Sequence, residues 1–486
     1  MKNRIITSVC CAVAALLCAV SALAQSDLRP RGDVNGDWLV TVADATRVVA
    51  FILGDETSVD RYYADVNGDG VVTIADANMI IAAIMGAELP PMPGYSGTLP
   101  VLYVNTRDGR PVTSVTESVP GTYWLDPKGT PGCEAVGSRE APLPLQVRGR
   151  GNYTWIAHDK KPYKLRLDQK QSLLGMPRNR HYALLACAGN GMSEFLKNAV
   201  GFEASRRVGL AFTPRQQPVE LVLNGEYRGL YLLTETVRVG KNRVNITEQP
   251  NGATDPATVA GGWLVEIDNT TAANTLLVHE QGSTANIDNW LRITPHAPDS
   301  LSAEQKNYLT AAFTAINAAV YATDTAACLW QRFVDLDTLA CFYVMNELVD
   351  EVESFRGSCY LHKQAGDSAK WMFGPAWDFG SAVWRDNPQS YLYQSVRKNH
   401  WIERMWQAPQ FQACVRRHWQ RLQAAGLTDL DDVVAVWVER LTAACAADQA
   451  RWPAYYWQTR DQELTQFTTR LHIKRAWLQT QWGATP

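Results

Sequence analysis

Asn346-Glu347-Leu348-Val349-Asp350-Glu351-Val352-Glu353 ends a helical stretch in a cluster of carboxylates, and Trp377-Asp378-Phe379-Gly380 follows further on. Between the two, Ser358 to His362 and Lys370 to Phe373 read as the arms of a hairpin around Gly366-Asp367. Before this interval, from Leu99 to about His296, strands are predicted at Val101 to Asn105, Leu143 to Arg148, Tyr163 to Leu167, Val219 to Leu223, Tyr227 to Thr234 and Trp263 to Ile267. Asn224-Gly225 is a hairpin turn signal, and Glu194 to Arg207 is the main helix among these strands. From Ala303 onward helices are predicted at Ala303 to Tyr321, Asp335 to Leu348, Phe411 to Ala424, Asp431 to Ala447 and Glu463 to Trp482. A sheet-rich half followed by a helical half is an α+β layout.

Upstream, one pattern occurs twice, starting at Asp33 and again 32 residues later at Asp65. Oxygen side chains fall at positions 1, 3, 5, 9 and 12 of each loop: Asp33, Asn35, Asp37, Thr41 and Asp44, then Asp65, Asn67, Asp69, Thr73 and Asp76. This is calcium-loop spacing, in which a hard cation collects side-chain oxygens and a backbone carbonyl at position 7, here from Leu39 and Val71. Ala45, Val48, Val49, Ile52 and Leu53 follow the first loop at helical spacing; Ala77, Ile80, Ile81, Ile84 and Met85 follow the second. Loop, Asp at position 12, single helix and duplication together resemble a type I dockerin. The resemblance implies Ca2+ binding and docking onto a cohesin-type domain through Val42-Ala43 and Ile74-Ala75. Position 6 is Gly70 in the second loop but Trp38 in the first, which predicts weaker calcium binding there.

Residues 1–24 read as a signal peptide: a basic start, an apolar run from Val9 to Leu23, and Ala22-Leu23-Ala24 before Gln25. The expected product is secreted, periplasmic or at the cell surface, with no transmembrane anchor after cleavage. The expected division is then 27–88 for the calcium repeats, 89–98 for a Pro/Gly linker and 99–486 for the large domain. A formal net charge of -3 argues against nucleic acid as a partner. Seven cysteines, from Cys133 to Cys445, lie beyond the signal without metal-ligand spacing and are expected to be buried, with at most one or two disulfides.

Four stretches in order, Arg148-Gly149-Arg150-Gly151-Asn152-Tyr153-Thr154-Trp155, Lys160-Lys161-Pro162-Tyr163-Lys164-Leu165, Asn224-Gly225-Glu226-Tyr227-Arg228-Gly229-Leu230-Tyr231-Leu232-Leu233-Thr234-Glu235 and Gly374-Pro375-Ala376-Trp377-Asp378-Phe379, resemble the signatures of the CotH spore-coat kinase family. The resemblance implies an atypical protein-kinase-like fold using ATP and Mg2+ to phosphorylate protein Ser or Thr. The order of catalytic-loop acid, hairpin and metal-holding Asp is also that of kinase-like phosphotransferases. Carried over by position, Asp378 is the metal ligand, with Glu353 and Asp350 as candidate catalytic acids. Lys164, then Lys161, is the candidate phosphate-contacting lysine after the Arg148 turn, and Glu203 is a candidate to orient it. The chain departs from the family at Glu351-Val352-Glu353, where many relatives have Asn-x-Asp, at Gly380 in place of a second acid, and near Gly189-Asn190, where an acidic pair is absent. The longer Glu353 side chain shifts the carboxylate by about a bond length, a displacement able to cost around a hundredfold in rate.

Two other readings compete. One is a binding protein that keeps the kinase fold without catalysis. The other is a carbohydrate-active component of a polysaccharide-degrading complex, supported by the dockerin-like module, the 17 tryptophans and a Glu353/Asp378 pair. Trp401 and Trp406, at helical spacing, read as core.

Overall fold

The computed structural model describes residues 28–90, 94–272, 274–278, 290–366, 368–395 and 400–483, so the signal peptide, part of the linker and the Asp367 turn position lie outside the described residues. The first module consists of α1 (Val42–Leu53), α2 (Arg61–Ala64) and α3 (Ile74–Ile84). Thr41 and Thr73 begin the two longer helices as capping boxes, each with the Asp three residues on closing the box. Val48 and Ile80, at the centre of the apolar stripes, are fully buried against each other's helix surroundings in one small core.

The large domain opens with β1 (Val101–Thr106), β2 (Val119–Asp126), β3 (Leu143–Gly149), α4 (Tyr153–Ala157), β4 (Tyr163–Gln171) and β5 (Asn179–Leu185). Next come α5 (Ser193–Val208), β6 (Gln216–Leu223) and β7 (Glu226–Glu235). The seven strands close into a barrel in the order β1-β2-β3-β4-β5-β7-β6, the seam being a parallel pairing of β1 with β6. The kinase-like form of the sheet-rich half, implied by the family resemblance, is therefore corrected to a closed barrel: strands β1 and β6 lie edge to edge and leave no barrel edge free. Alternate side chains such as Leu102, Val104, Leu145, Val147, Leu165 and Leu167 fill the barrel interior.

After α6 (Pro256–Val259) come β8 (Trp263–Asp268), β9 (Leu276–Val278), β10 (Leu291–Ala297), α7 (Ala303–Val320) and α8 (Leu336–Val349). The predicted hairpin is β11 (Cys359–Lys363) with β12 (Trp371–Phe373), and it joins a second sheet in the order β12-β11-β8-β10-β9. The C-terminal helices are α9 (His400–Trp406), α10 (Pro409–Ala424), α11 (Asp431–Arg451) and α12 (Arg460–Trp482). Helix α5 is buried along nearly its whole length and joins this sheet and the helical half in one core, with Trp401 and Trp406 inside it. The protein is thus α+β. The seven cysteines from Cys133 to Cys445 are all free thiols, five of them buried. Among the described residues no helix is long and apolar enough to cross a membrane.

The calcium-loop module rests on the barrel. Arg29 stacks on Tyr63 at 3.4 Å and pairs with Glu226 of β7, while Arg451 of α11 bonds Asp60 at 3.0 Å. Trp38 lies on the Asn224-Gly225 turn: a Cβ at Gly225 would sit 1.9 Å from the indole. Gly225, at φ 75, therefore serves both the turn and the contact.

Candidate functional site

The two calcium loops share one hydrogen-bond scheme. Asp33 accepts from the N–H groups of Gly36, Asp37 and Trp38, and Asp65 accepts from those of Gly68, Asp69 and Gly70. Asp44 accepts from Val34, Asn35 and Thr41, and Asp76 from Val66, Asn67 and Thr73. Asp44 and Asp76 are 0% exposed, and neither has a basic partner among the described residues. A buried carboxylate in that position favours a cation nearby, so the residues fit Ca2+, with Asn35, Asp37, Asn67 and Asp69 completing the oxygen sets. Trp38 keeps the turn that Gly70 makes: its φ is 70 and its N–H bonds Asp33 at 2.9 Å. Its side chain is committed to the barrel, so Trp38→Gly is expected to loosen the module by about 1–2 kcal/mol of lost apolar contact. Faster proteolysis between residues 28 and 98 with calcium uptake retained would be the outcome; unchanged proteolysis would discount the contact.

A cleft of about 1000 Å3 lies where the ends of β3 and β5 meet the loops of the helical half. Asp378 stands on its floor at φ 63, open to solvent but walled by protein. Its loop is clamped because Phe379 lies against α5 at Gly201, where a Cβ would fall 2.3 Å from the ring, and meets Phe202 edge-on at 5.2 Å. The crowding protein pushes the Asp378 carboxyl above its usual range, Arg150 opposes this, and Glu353 and Glu266 add to it. Glu353 also lines the cleft and accepts from Ser381 Oγ at 2.9 Å. Behind it, buried Glu351 accepts the N–H groups of Glu353 at 3.0 Å and Ser381 at 3.1 Å, bracing the two acidic loops against each other. Burial, with Asp378 and Glu353 nearby, pushes the Glu351 carboxyl far up.

Arg150 and Lys197 face these acids in the cleft, whereas Arg148 and Lys164 do not line it. Arg148 and Lys164 are direct partners across β3 and β4. Burial, then Arg148, Arg238 and Arg150, brings the Lys164 ammonium down to about 8. Arg150 reaches into the cleft beside Trp377, 5.5 Å from its ring. Lys197 on α5 bonds Glu194 at 2.7 Å and the carbonyl of Gly380 at 3.1 Å, placing a second cation at the Asp378 loop.

Several candidates fall elsewhere. Glu203 pairs with Arg206 at 3.0 Å and Arg207 at 3.1 Å, one helical turn along, instead of orienting Lys164. Asp350 is buried behind the cleft, bound to Arg385 and 3.3 Å from Lys474, so it is not poised toward a substrate hydroxyl. Lys161 gives its ammonium to the Trp155 carbonyl at 2.7 Å. Sequence reasoning passed over Arg150, Lys197 and Glu194. Arg150 follows the in-out alternation Val147, Arg148, Gly149 and so was legible, whereas Glu194 and Lys197 belong to no motif.

The family's missing acidic pair has a local counterpart. Glu194 fills the space beside Gly189, where a Cβ would lie 2.6 Å from its carboxyl carbon, and Glu463 fills that beside Gly191. Burial raises Glu463 to about 7, with Glu194 adding to the rise and the N–H groups of Ser193 and Met192 opposing it. Because its folded value lies above the unfolded carboxylate range, its contribution to stability is full below about pH 4.3 and is lost as pH rises through about 7. Glu463→Gln is expected to flatten the fall in melting temperature between about pH 4.5 and 7. Parallel pH profiles for the two proteins would contradict it.

Paired calcium loops beside a barrel whose cleft is lined by both carboxylates and cations define a two-module α+β protein. The model of the family described as CotH kinase protein matches residues 147–476, and the chain belongs to that family. The model of the dockerin type I domain matches residues 31–85 upstream of it. Dockerin domains bind calcium and cohesin domains. No curated protein matches the chain.

Proposed function

We propose that the chain is an exported phosphotransferase that moves phosphate from ATP to protein Ser or Thr and is anchored by calcium-dependent cohesin binding. The observation that carries it is the cleft in which Asp378 and Glu353 face Arg150 and Lys197. Mg2+ fits the acidic side, where Asp378 would hold it, and a triphosphate fits beside Arg150 and Lys197; bound there, the metal would neutralise charge on the phosphates. Glu353 would accept the proton of an incoming hydroxyl, with Ser381 Oγ holding its carboxylate. Arg150 and Lys197 hold the phosphate end and Glu351 keeps the two acidic loops in register. Exposed Val42 and Ile74, at 65% and 56%, offer the module's apolar docking surface.

Two observations favour other readings. Gly380 supplies no second carboxylate and Glu351 is turned inward, as in a binding protein that keeps the fold. Exposed Trp384 and Trp457 also stand on the cleft lining, where a sugar ring could stack. Melting the protein with ATP and Mg2+, with ADP, and with soluble glycans separates the readings. Stabilisation by nucleotide supports the phosphotransferase, and stabilisation by glycan alone overturns it.

A further inference from the structure

A second cluster of metal-ligating groups lies away from the cleft, where α8 packs on α10. Asp337 and Cys341 are four residues apart on α8, as are Cys414 and His418 on α10, so each helix turns two donors toward the other. An Asp337 carboxylate oxygen, Cys414 Sγ and a His418 ring nitrogen all lie within 4.8 Å of one another. His418 Nε2 is 3.0 Å from Asp337 Oδ1, and Cys414 Sγ is 3.3 Å from the same oxygen. Bonds of about 2.0–2.3 Å from zinc to oxygen, nitrogen and sulfur in a tetrahedron separate ligand atoms by roughly 3.3–3.7 Å, so small adjustments complete three corners. Cys341 Sγ lies 3.6 Å from His418 Nδ1, under the imidazole.

We propose that Asp337, Cys414 and His418 bind a Zn2+-class transition metal that clamps α8 to α10. The donor set is the evidence: one soft sulfur, one imidazole and one carboxylate suit zinc and not calcium or magnesium. A cation already occupies the position, since Arg417 Nη2 lies 2.7 Å from Asp337 Oδ1 and 3.1 Å from Cys414 Sγ. The Arg417 side chain is 64% exposed and is free to swing outward. On binding, the Cys414 thiol gives its proton to solvent, and thiolate and carboxylate together balance the metal's two charges. The clamp is distinct from the Asp378 cleft: α8 carries Asp337 near its start and leads at its far end into the acidic loop of Glu351 and Glu353.

The test uses the whole purified protein with the calcium loops kept saturated with Ca2+. After removal of transition metals it is titrated with Zn2+ against a chromophoric chelator, and with Co2+ as an optical probe. About one equivalent of Zn2+, a rise in melting temperature and a thiolate-to-cobalt charge-transfer band are expected. Cys414→Ser and His418→Ala should lose all three; His418 is near the surface, and circular dichroism without metal checks that its variant folds. Arg417→Ala should bind at least as tightly as the parent. Zn2+ uptake that survives in His418→Ala overturns the proposal, as does a Cys341–Cys414 disulfide in the purified protein, or absence of uptake with both thiols free.

Discussion

Asp378→Asn is expected to abolish transfer of labelled phosphate from ATP in the presence of Mg2+, lowering it by at least about a hundredfold, while the protein stays folded. The substitution keeps the shape of the side chain and removes its charge. Asn also tolerates the left-handed backbone that Asp378 adopts at φ 63, so the loop held by Phe379 on Gly201 should not move. The acid is crowded by protein and by Glu353, so the neutral amide should leave the melting temperature unchanged or slightly raised. Lost labelling in a protein that melts normally would place the metal at Asp378. Labelling that persists would move the metal elsewhere in the cleft, and labelling absent from the parent as well, with ATP in excess, would favour the kinase-fold binding protein.

The core elements of this fold were legible because their patterns are strong. The apolar run within Asp335 to Leu348, the alternation along β3 and β4, and Asn224-Gly225 each point to one local structure. Barrel closure was not legible, because it depends on the parallel pairing of Val101–Val104 with Glu220–Leu223, residues remote in sequence and joined by no turn signal. Strand β2 was missed since Pro120-Gly121 reads as a turn; in the structure Gly121 lets β1 approach, a Cβ there falling 2.4 Å from the Asn105 carbonyl oxygen. In the cleft, motif residues led to Asp378 and Glu353. The local pattern favours the wrong lysine: Lys160 stands in a signature stretch yet is buried on Asp448 at 2.7 Å, whereas Lys197, in no motif, faces the Asp378 loop. Only tertiary packing separates the two lysines.

Calcium removal is expected to disorder the second loop and α3 before the first loop and α1. Both loops have buried position-12 carboxylates, Asp44 and Asp76, and the module's core is small, so its order should depend on the metal. At a hundredfold excess of Ca2+ over the dissociation constant each site supplies about 2.7 kcal/mol, a large share of what so small a core provides. The first loop has a second source of order in the barrel: Trp38 on Gly225, Arg29 N–H to the Gly225 carbonyl at 2.8 Å, and Arg29 beside Asp33 at 3.7 Å. The second loop has Gly70 where the first has Trp38, and a Cβ at Gly70 would meet nothing within 4 Å. Hydrogen exchange with and without chelator should therefore show protection lost across residues 74–84 while residues 42–53 keep part of theirs. Asp65→Ala should reproduce the loss in calcium and halve calcium uptake measured by titration. Equal loss in both helices would mean that the barrel contacts contribute nothing to the first loop, and Trp38 would then be an unfavourable replacement for glycine instead of an anchor.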